Sequence, residues 1–162
     1  MAMKTLDDLF VHMLRDMYYA EKQAAKALPK MAKKASADVL RDALELHQQE
    51  TEEQIEKLEL VFEMRDLKPR GVTCDAANGI IEEAKEIMDE AQDDNTRDAG
   101  IIAAAQALEH YEISRYGTMV AWANQLGMKD AAKIFAQILD QEKLTDAKLT
   151  KIAEEQLNKQ AA

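Results

Sequence analysis

Apolar positions recur in alternating steps of four and three along most of the chain, the spacing of helices that pack in bundles. The first seam reads Phe10, Leu14, Met17, Glu21, Ala24, Leu28 and Met31. Thr5, with Asp8 three residues on, predicts its N-cap, and Pro29 is expected to kink its last turns. The second seam runs through Leu40, Leu44, His47, Thr51, Gln54, Leu58 and Val61, with Glu50 beside it and Ser36 as the expected cap. Residues 66–76, containing Pro69 and Gly71, read as a loop. A shorter amphipathic helix is predicted over about 76–91, carried by Ile80, Ile81, Ala84, Ile87 and Met88. A third long helix is expected after Thr96, along Ile101, Ala105, Leu108, Glu112, Tyr116, Met119, Ala123 and Leu126, with Gly127 as its C-cap. The last runs from about 129 into the high 150s, along Phe135, Ile138, Glu142, Thr145, Leu149 and Ile152.

One long connection joins the second and third long helices, and short turns join the rest. That pattern predicts an all-α, ferritin-like, up-down-down-up four-helix bundle whose long crossover carries the extra short helix. A single domain over residues 1–162 is expected. An internal repeat agrees: Glu21 to Glu50 spans 29 residues and Glu112 to Glu142 spans 30. Tyr19-Ala20-Glu21 aligns with His110-Tyr111-Glu112, and Glu50 and Gln54 align with Glu142 and Asp146. At ~1.5 Å per residue all four glutamates lie roughly 21–23 Å from the turn of their own hairpin. If the hairpins pack antiparallel and centred, the four converge.

Four acids on apolar seams are a conflict with simple packing. A buried carboxylate is costly unless it is paired, protonated or bound to a cation, and four at one level repel one another. A metal centre resolves the conflict, and oxygen donors suit iron or manganese, with zinc as a further candidate through imidazole. Di-iron bundles use a Glu from each of two helices and Glu-x-x-His from each of the other two. Here the second helix has the reversed order His47-x-x-Glu50, and the fourth has Glu142-x-x-x-Asp146 with no histidine. The third adds Glu109 one turn before Glu112. The candidate metal set is Glu21, His47, Glu50, Glu109, Glu112, Glu142 and Asp146.

Each member has a plainer reading. The glutamates can swing out to pair with Lys or Arg, and His47 can be a hydrogen-bonded core histidine. Glu109 and Asp146 can lie behind the ligands or in surface ion pairs. Gln54 is expected behind the ligands, and His110 in a supporting or packing role. Tyr18, Tyr19, Tyr111 and Tyr116 fall near the same level; tyrosines there pack at the core edge or relay electrons. The nine methionines read as core filler, and His12 and Cys74 as structural.

Composition narrows the class. Good helix formers dominate, and the net charge of -10 with no basic patch argues against nucleic acid and anionic membrane surfaces. A single cysteine leaves no intrachain disulfide. With no secretory segment and no apolar run long enough for a bilayer, a cytoplasmic protein is expected. No Gly-rich phosphate loop, CxxC or G-x-S-x-G motif competes.

Specific strings carry a resemblance: Ala20-Glu21-Lys22-Gln23 with Ala27-Leu28-Pro29-Lys30, and His47 with Glu50-Thr51 and Gln54. So do Ala103-Ala104-Ala105-Gln106, Glu109-His110-Tyr111-Glu112 with Tyr116-Gly117-Thr118, and Glu142-Lys143 with Thr145-Asp146. The chain resembles, nearly end to end, the YciE/YciF-type ferritin-like proteins of bacteria. The resemblance implies a ferritin-like bundle, a homodimer, a metal site similar to that of rubrerythrins, and a link to stress responses. It implies no particular reaction. The absent second Glu-x-x-His counts against rubrerythrin-type peroxidase activity, and no rubredoxin-like cysteine pairs identify a redox partner.

The expected function is a di-iron carboxylate protein of stress protection, oxidising Fe(II) with oxygen or peroxide if it turns over. By analogy with the di-iron template, Glu50 and Glu142 would bridge and Glu21 and Glu112 would be terminal. Glu109, His47 and Asp146 would complete the coordination. The rival is a metal-free structural or interaction bundle with a relic carboxylate site. Iron storage is a third reading and would require a closed shell of many subunits.

Overall fold

Thr5 opens the first helix as its pattern predicts. Its hydroxyl accepts from the Asp8 amide, and the Asp8 carboxylate accepts from the Thr5 amide. The structure, a computed structural model, describes residues 3–162. Helix α1 spans Leu6–Lys34, α2 Asp38–Met64, α3 Asp75–Glu90, α4 Asp94–Gln125 and α5 Lys129–Ile152. A π-helical turn, Ala153–Leu157, leads from α5 into the short α6, Asn158–Ala161.

Helices α1 and α2 form one hairpin, and α4 and α5 the other. Helix α2 lies against α5 and α1 against α4, while α3 covers α1 and α4. The C-terminal end of α1 meets the start of α4 through Ser36 and Asp98. The C-terminal end of α2 meets the start of α5 through Arg65 and Met128. Both cross-hairpin pairs are therefore antiparallel. The result is the up-down-down-up, ferritin-like bundle, with α3 in the crossover. Among the described residues no helix is long and apolar enough to cross a membrane.

Several local details differ from the sequence reading. Ser36 does not cap α2; Ala37 takes the cap position with no side-chain hydrogen bond. The buried carboxylate of Asp98, on α4, instead accepts the Ser36 and Ala37 amides, each at 2.8 Å. Helix α4 begins earlier than expected, because Asp93 caps it by accepting the Thr96 amide at 2.9 Å. Thr96 thus sits inside the first turn. The last helix is not uniform: the π-helical turn at its end keeps Ala153 and Leu157 buried.

Two glycines shape the connections. Gly127 has φ +74, the left-handed conformation that ends α4 and turns the chain into α5. Gly100 faces the crossover helix, where an added Cβ would lie 2.4 Å from Ile87 Cγ2. Its bare backbone lets α3 seat closely on α4.

The core is divided. One apolar cluster includes Phe10, Leu14, Met17, Phe62, Tyr116 and Phe135, near the α4–α5 turn. The other includes Leu28, Met31, Leu40, Leu44, Ile101 and Leu149, near the α1–α2 turn. The seams predicted this burial, since their polar residues fall in the middle and their apolar ones at both ends.

Asp98 ties the two hairpins together through charge-assisted bonds at the α1–α2 turn. Asp98→Ala should lower stability by about 2–3 kcal/mol, because it strands two amides in a part-buried turn. Asp98→Asn should cost less. The urea midpoint of each variant measures this.

Candidate metal centre

A polar layer fills the gap between the two apolar clusters. Glu21 comes from α1, His47 and Gln54 from α2, Glu109 and Glu112 from α4, and Glu142 from α5. All six are at most 2% exposed. All but Glu109 occupy seam positions, so helix geometry turns them inward as it would turn a leucine; Glu109 follows the seam residue Leu108 and lies one turn before Glu112.

Within the layer, one donor atom from each of His47, Glu109, Glu112 and Glu142 lies within 4.8 Å of the others. His47 Nε2 is 2.6 Å from Glu109 Oε1. The two do not align as a hydrogen bond, and neither atom has another hydrogen-bond partner. Both oxygens of Glu109, Glu112 and Glu142 and one of Glu21 are likewise buried without a partner. Natural interiors rarely leave so many polar atoms unmatched. Donor atoms gathered this closely around a common space could hold a cation.

Electrostatics agree with the geometry. Burial, followed by repulsion from Glu142, pushes the Glu21 carboxyl up to about 8. Burial is also the largest cause for Glu109, pushed up to about 8. Glu112 and Glu142 rise well above the ordinary carboxylate range. Burial leads again; the neighbouring acids add to it, Glu21 first for Glu112 and Glu109 for Glu142. Without a cation the layer retains protons; a divalent cation would favour their loss.

The remaining candidates stand around this set. Glu21 enters the layer through its charge, while its other oxygen accepts the buried Tyr116 hydroxyl. Glu50 is 23% exposed, with Oε2 4.0 Å from His47 Nδ1, and accepts the Thr145 hydroxyl at 3.2 Å. Asp146 is turned toward α4, where it pairs with His110 Nε2 at 3.1 Å and accepts Gln106 Nε2 at 3.0 Å. The structure therefore does not bring Asp146 into the four-residue cluster. His110 holds Asp146, and Gln54 donates to Gln141 at 2.9 Å.

The tyrosines have separate partners. Tyr18 donates to Glu59 and Tyr19 to Asn78. Tyr111 donates to Asp16 and lies 3.0 Å from Cys74 Sγ. Cys74 also caps α3 by accepting the Ala77 amide, so its role is structural. Thr145 and Gln106 were not singled out as holders of acids. Their signal was position: Thr145 lies one turn after Glu142 on the same seam, and a threonine there can reach an acid on the facing helix.

The donor chemistry fits a metal. Hard carboxylate oxygens with one imidazole suit iron or manganese and can accept zinc.

Comparison with known proteins shows the family and the fold. The domain of unknown function DUF892 matches residues 5–162. Protein YciF of Escherichia coli K12 is 46% identical over 162 residues, covering 99% of this chain and 98% of its own. The crystal structure of the E. coli stress protein YciF superposes with a TM-score of 0.92 at 46% identity, over 97% of this chain and 99% of that one. YcfI of Rhodopseudomonas palustris gives 0.91 at 47% identity, over 93% and 96%. A protein of Xanthomonas campestris gives 0.74 at 24% identity over 93% and 92%, a likeness of fold alone. The chain belongs to the YciF-type family described as domain of unknown function DUF892.

Proposed function

We propose that the carboxylate layer holds a dinuclear metal centre, iron by preference, in a cytoplasmic stress-protection protein that works as a homodimer. The observation that carries this is the set of buried, unpartnered oxygens of Glu21, Glu109, Glu112 and Glu142 facing His47. Two divalent cations would balance the charge of four glutamates. YciF is named a stress protein, and the stress role is carried over from that relative.

Glu109, Glu112, Glu142 and His47 would hold the metal, with Glu21 and Glu50 at its flanks. Glu112 and Glu142 would hold the metal from α4 and α5, and Glu21 and Glu50 would assist from α1 and α2. Asp146 faces His110 and Gln106, so its contribution is to support the α4–α5 side. Bound iron would supply one-electron chemistry, the oxidation of Fe(II) by oxygen or peroxide. The chain's own residues do the rest. Tyr116 orients Glu21, Thr145 orients Glu50, and the two apolar clusters keep water from the layer above and below.

A metal-free bundle is the alternative. The Tyr116–Glu21 bond favours it, because it satisfies one acid oxygen with no cation. Elemental analysis after anaerobic Fe(II) reconstitution separates the two readings. About two irons per chain are expected, as in carboxylate-bridged bundles. The Glu50→Ala/Glu142→Ala double variant should retain none. Absence of metal from the parent chain would leave the metal-free bundle.

Stability gives an independent readout. A ligand at a hundred times its Kd adds about 2.7 kcal/mol, so saturating Mn(II) should raise Tm by roughly 5–10 °C. Glu112→Leu should abolish that rise. Without metal it should hold or increase Tm, since it replaces a buried acid with apolar volume.

The pH dependence has a definite sign. Glu21 and Glu109 are near 8 in the folded chain and near 4.5 as free side chains. The native state thus binds more protons than the unfolded state across that window. The contribution of these two groups to the stability of the metal-free protein is full below about 4.5 and is lost as pH rises through about 8. Metal competes with those protons, so the stabilisation by Mn(II) should grow over the same range. Thermal melts at pH 5, 7 and 9, with and without Mn(II), check this; a metal-free Tm that climbs with pH would contradict it.

A further inference from the structure

We propose that metal reaches the buried centre through a cleft between α2 and α5, where Glu50 receives it and passes it to His47. This rests on the metal-centre reading above. The donors of the four-residue cluster are at most 2% exposed, so a cation needs a path through the bundle wall. Apolar clusters close the layer at both ends. Helix α3 covers the α1–α4 side. On the α4–α5 side, Gln106 bonds Asp146 and Thr150, and His110 bonds Asp146, so the polar groups there are engaged with one another.

The α2–α5 side is different. A cleft of about 90 Å³ opens there, walled by Ala43 and Leu46 from α2 and by Leu144 and Leu149 from α5. Glu50 and Thr145 also line it. Glu50 is 23% exposed toward solvent, yet its Oε2 lies 4.0 Å from Nδ1 of His47, a member of the buried cluster. One carboxylate therefore borders both the cleft and the cluster. The single hydrogen bond from Thr145, 3.2 Å long, holds Glu50 at this border without locking it. Rotating one glutamate side chain is a fast motion compared with opening a helix pair.

The rim has its own character. Leu46 is 44% and Leu144 72% exposed, so two large apolar side chains flank the mouth. They leave Glu50 as the cleft's anionic group. The exposed Lys148 is its cationic one, screened by solvent. A charge at a cleft mouth alters the rate of ion capture in a salt-dependent way. Lys148→Glu should therefore speed metal capture at low salt.

Loading kinetics test the route. Metal-free protein is mixed with Co(II), whose visible absorption reports binding, and the rate is followed by stopped flow. Leu144→Trp and Leu46→Trp, both at exposed positions, should slow loading about tenfold, a barrier rise of ~1.4 kcal/mol, with the final stoichiometry unchanged. His110→Trp, on the α4–α5 side, should leave the rate as it is. Slowing by His110→Trp alone, or equal rates in all variants, would overturn the cleft route while leaving the metal centre standing. No Co(II) binding by the parent chain would overturn both. Circular dichroism of each variant shows whether the bundle is intact, and the Lys148→Glu acceleration tests the route with no added bulk.

Discussion

The unfavourable energy of charge in an apolar interior is the constraint on which this bundle turns. Four helices bring four glutamates and a histidine to one level, with leucine, methionine and phenylalanine above and below. In that setting each acid can be neutral, paired or coordinated. Among the described residues no lysine or arginine pairs with the layer: the close partner of Glu109 is His47, and that of Glu21 is Tyr116. Protonation and coordination remain, and they compete. The same groups that make the metal-free fold sensitive to alkaline pH would make a loaded fold sensitive to acid.

Much of this was legible in the sequence because helix geometry is periodic. Glu21, Glu112 and Glu142 occupy seam positions that elsewhere hold leucine, and the 30-residue spacing placed Glu112 level with Glu142; the 29-residue spacing paired Glu21 with Glu50, which stands partly exposed beside the layer while Glu109 is buried in it. Two equal hairpins and one long connection then determine which helices are neighbours. The same reasoning located the inward face of His47, because it lies between Leu44 and Thr51 on one seam.

What was not legible depends on contacts between helices. Asp98 looked like an unremarked residue in the first turns of α4, and only the packing of α4 against the α1–α2 turn makes it the cap of that turn. Asp146 lies one turn beyond Glu142, which suggested a ligand, but Gln106 and His110 on α4 draw its carboxylate aside. Periodicity places a residue on a face; it does not choose among the partners that face meets. The boundary of α4 shows the same limit, since Asp93 and Thr96 are both good caps and local hydrogen bonding selects Asp93.

The reversed motif on α2 has a chemical consequence for the proposed centre. A di-iron site of the usual bundle type carries two histidines, one from each Glu-x-x-His. Here His47 precedes Glu50, and α5 supplies no histidine; Glu109 on α4 stands in the cluster instead. Exchanging a neutral imidazole for an anionic oxygen adds negative charge to the donor set. Negative, hard ligands stabilise the higher oxidation state of iron relative to the lower. A centre built this way is suited to drawing electrons out of Fe(II) and poorly suited to returning to the reduced state without a dedicated donor. In the proposed centre that balance would favour consuming Fe(II) and oxidant together over cycling on an external reductant.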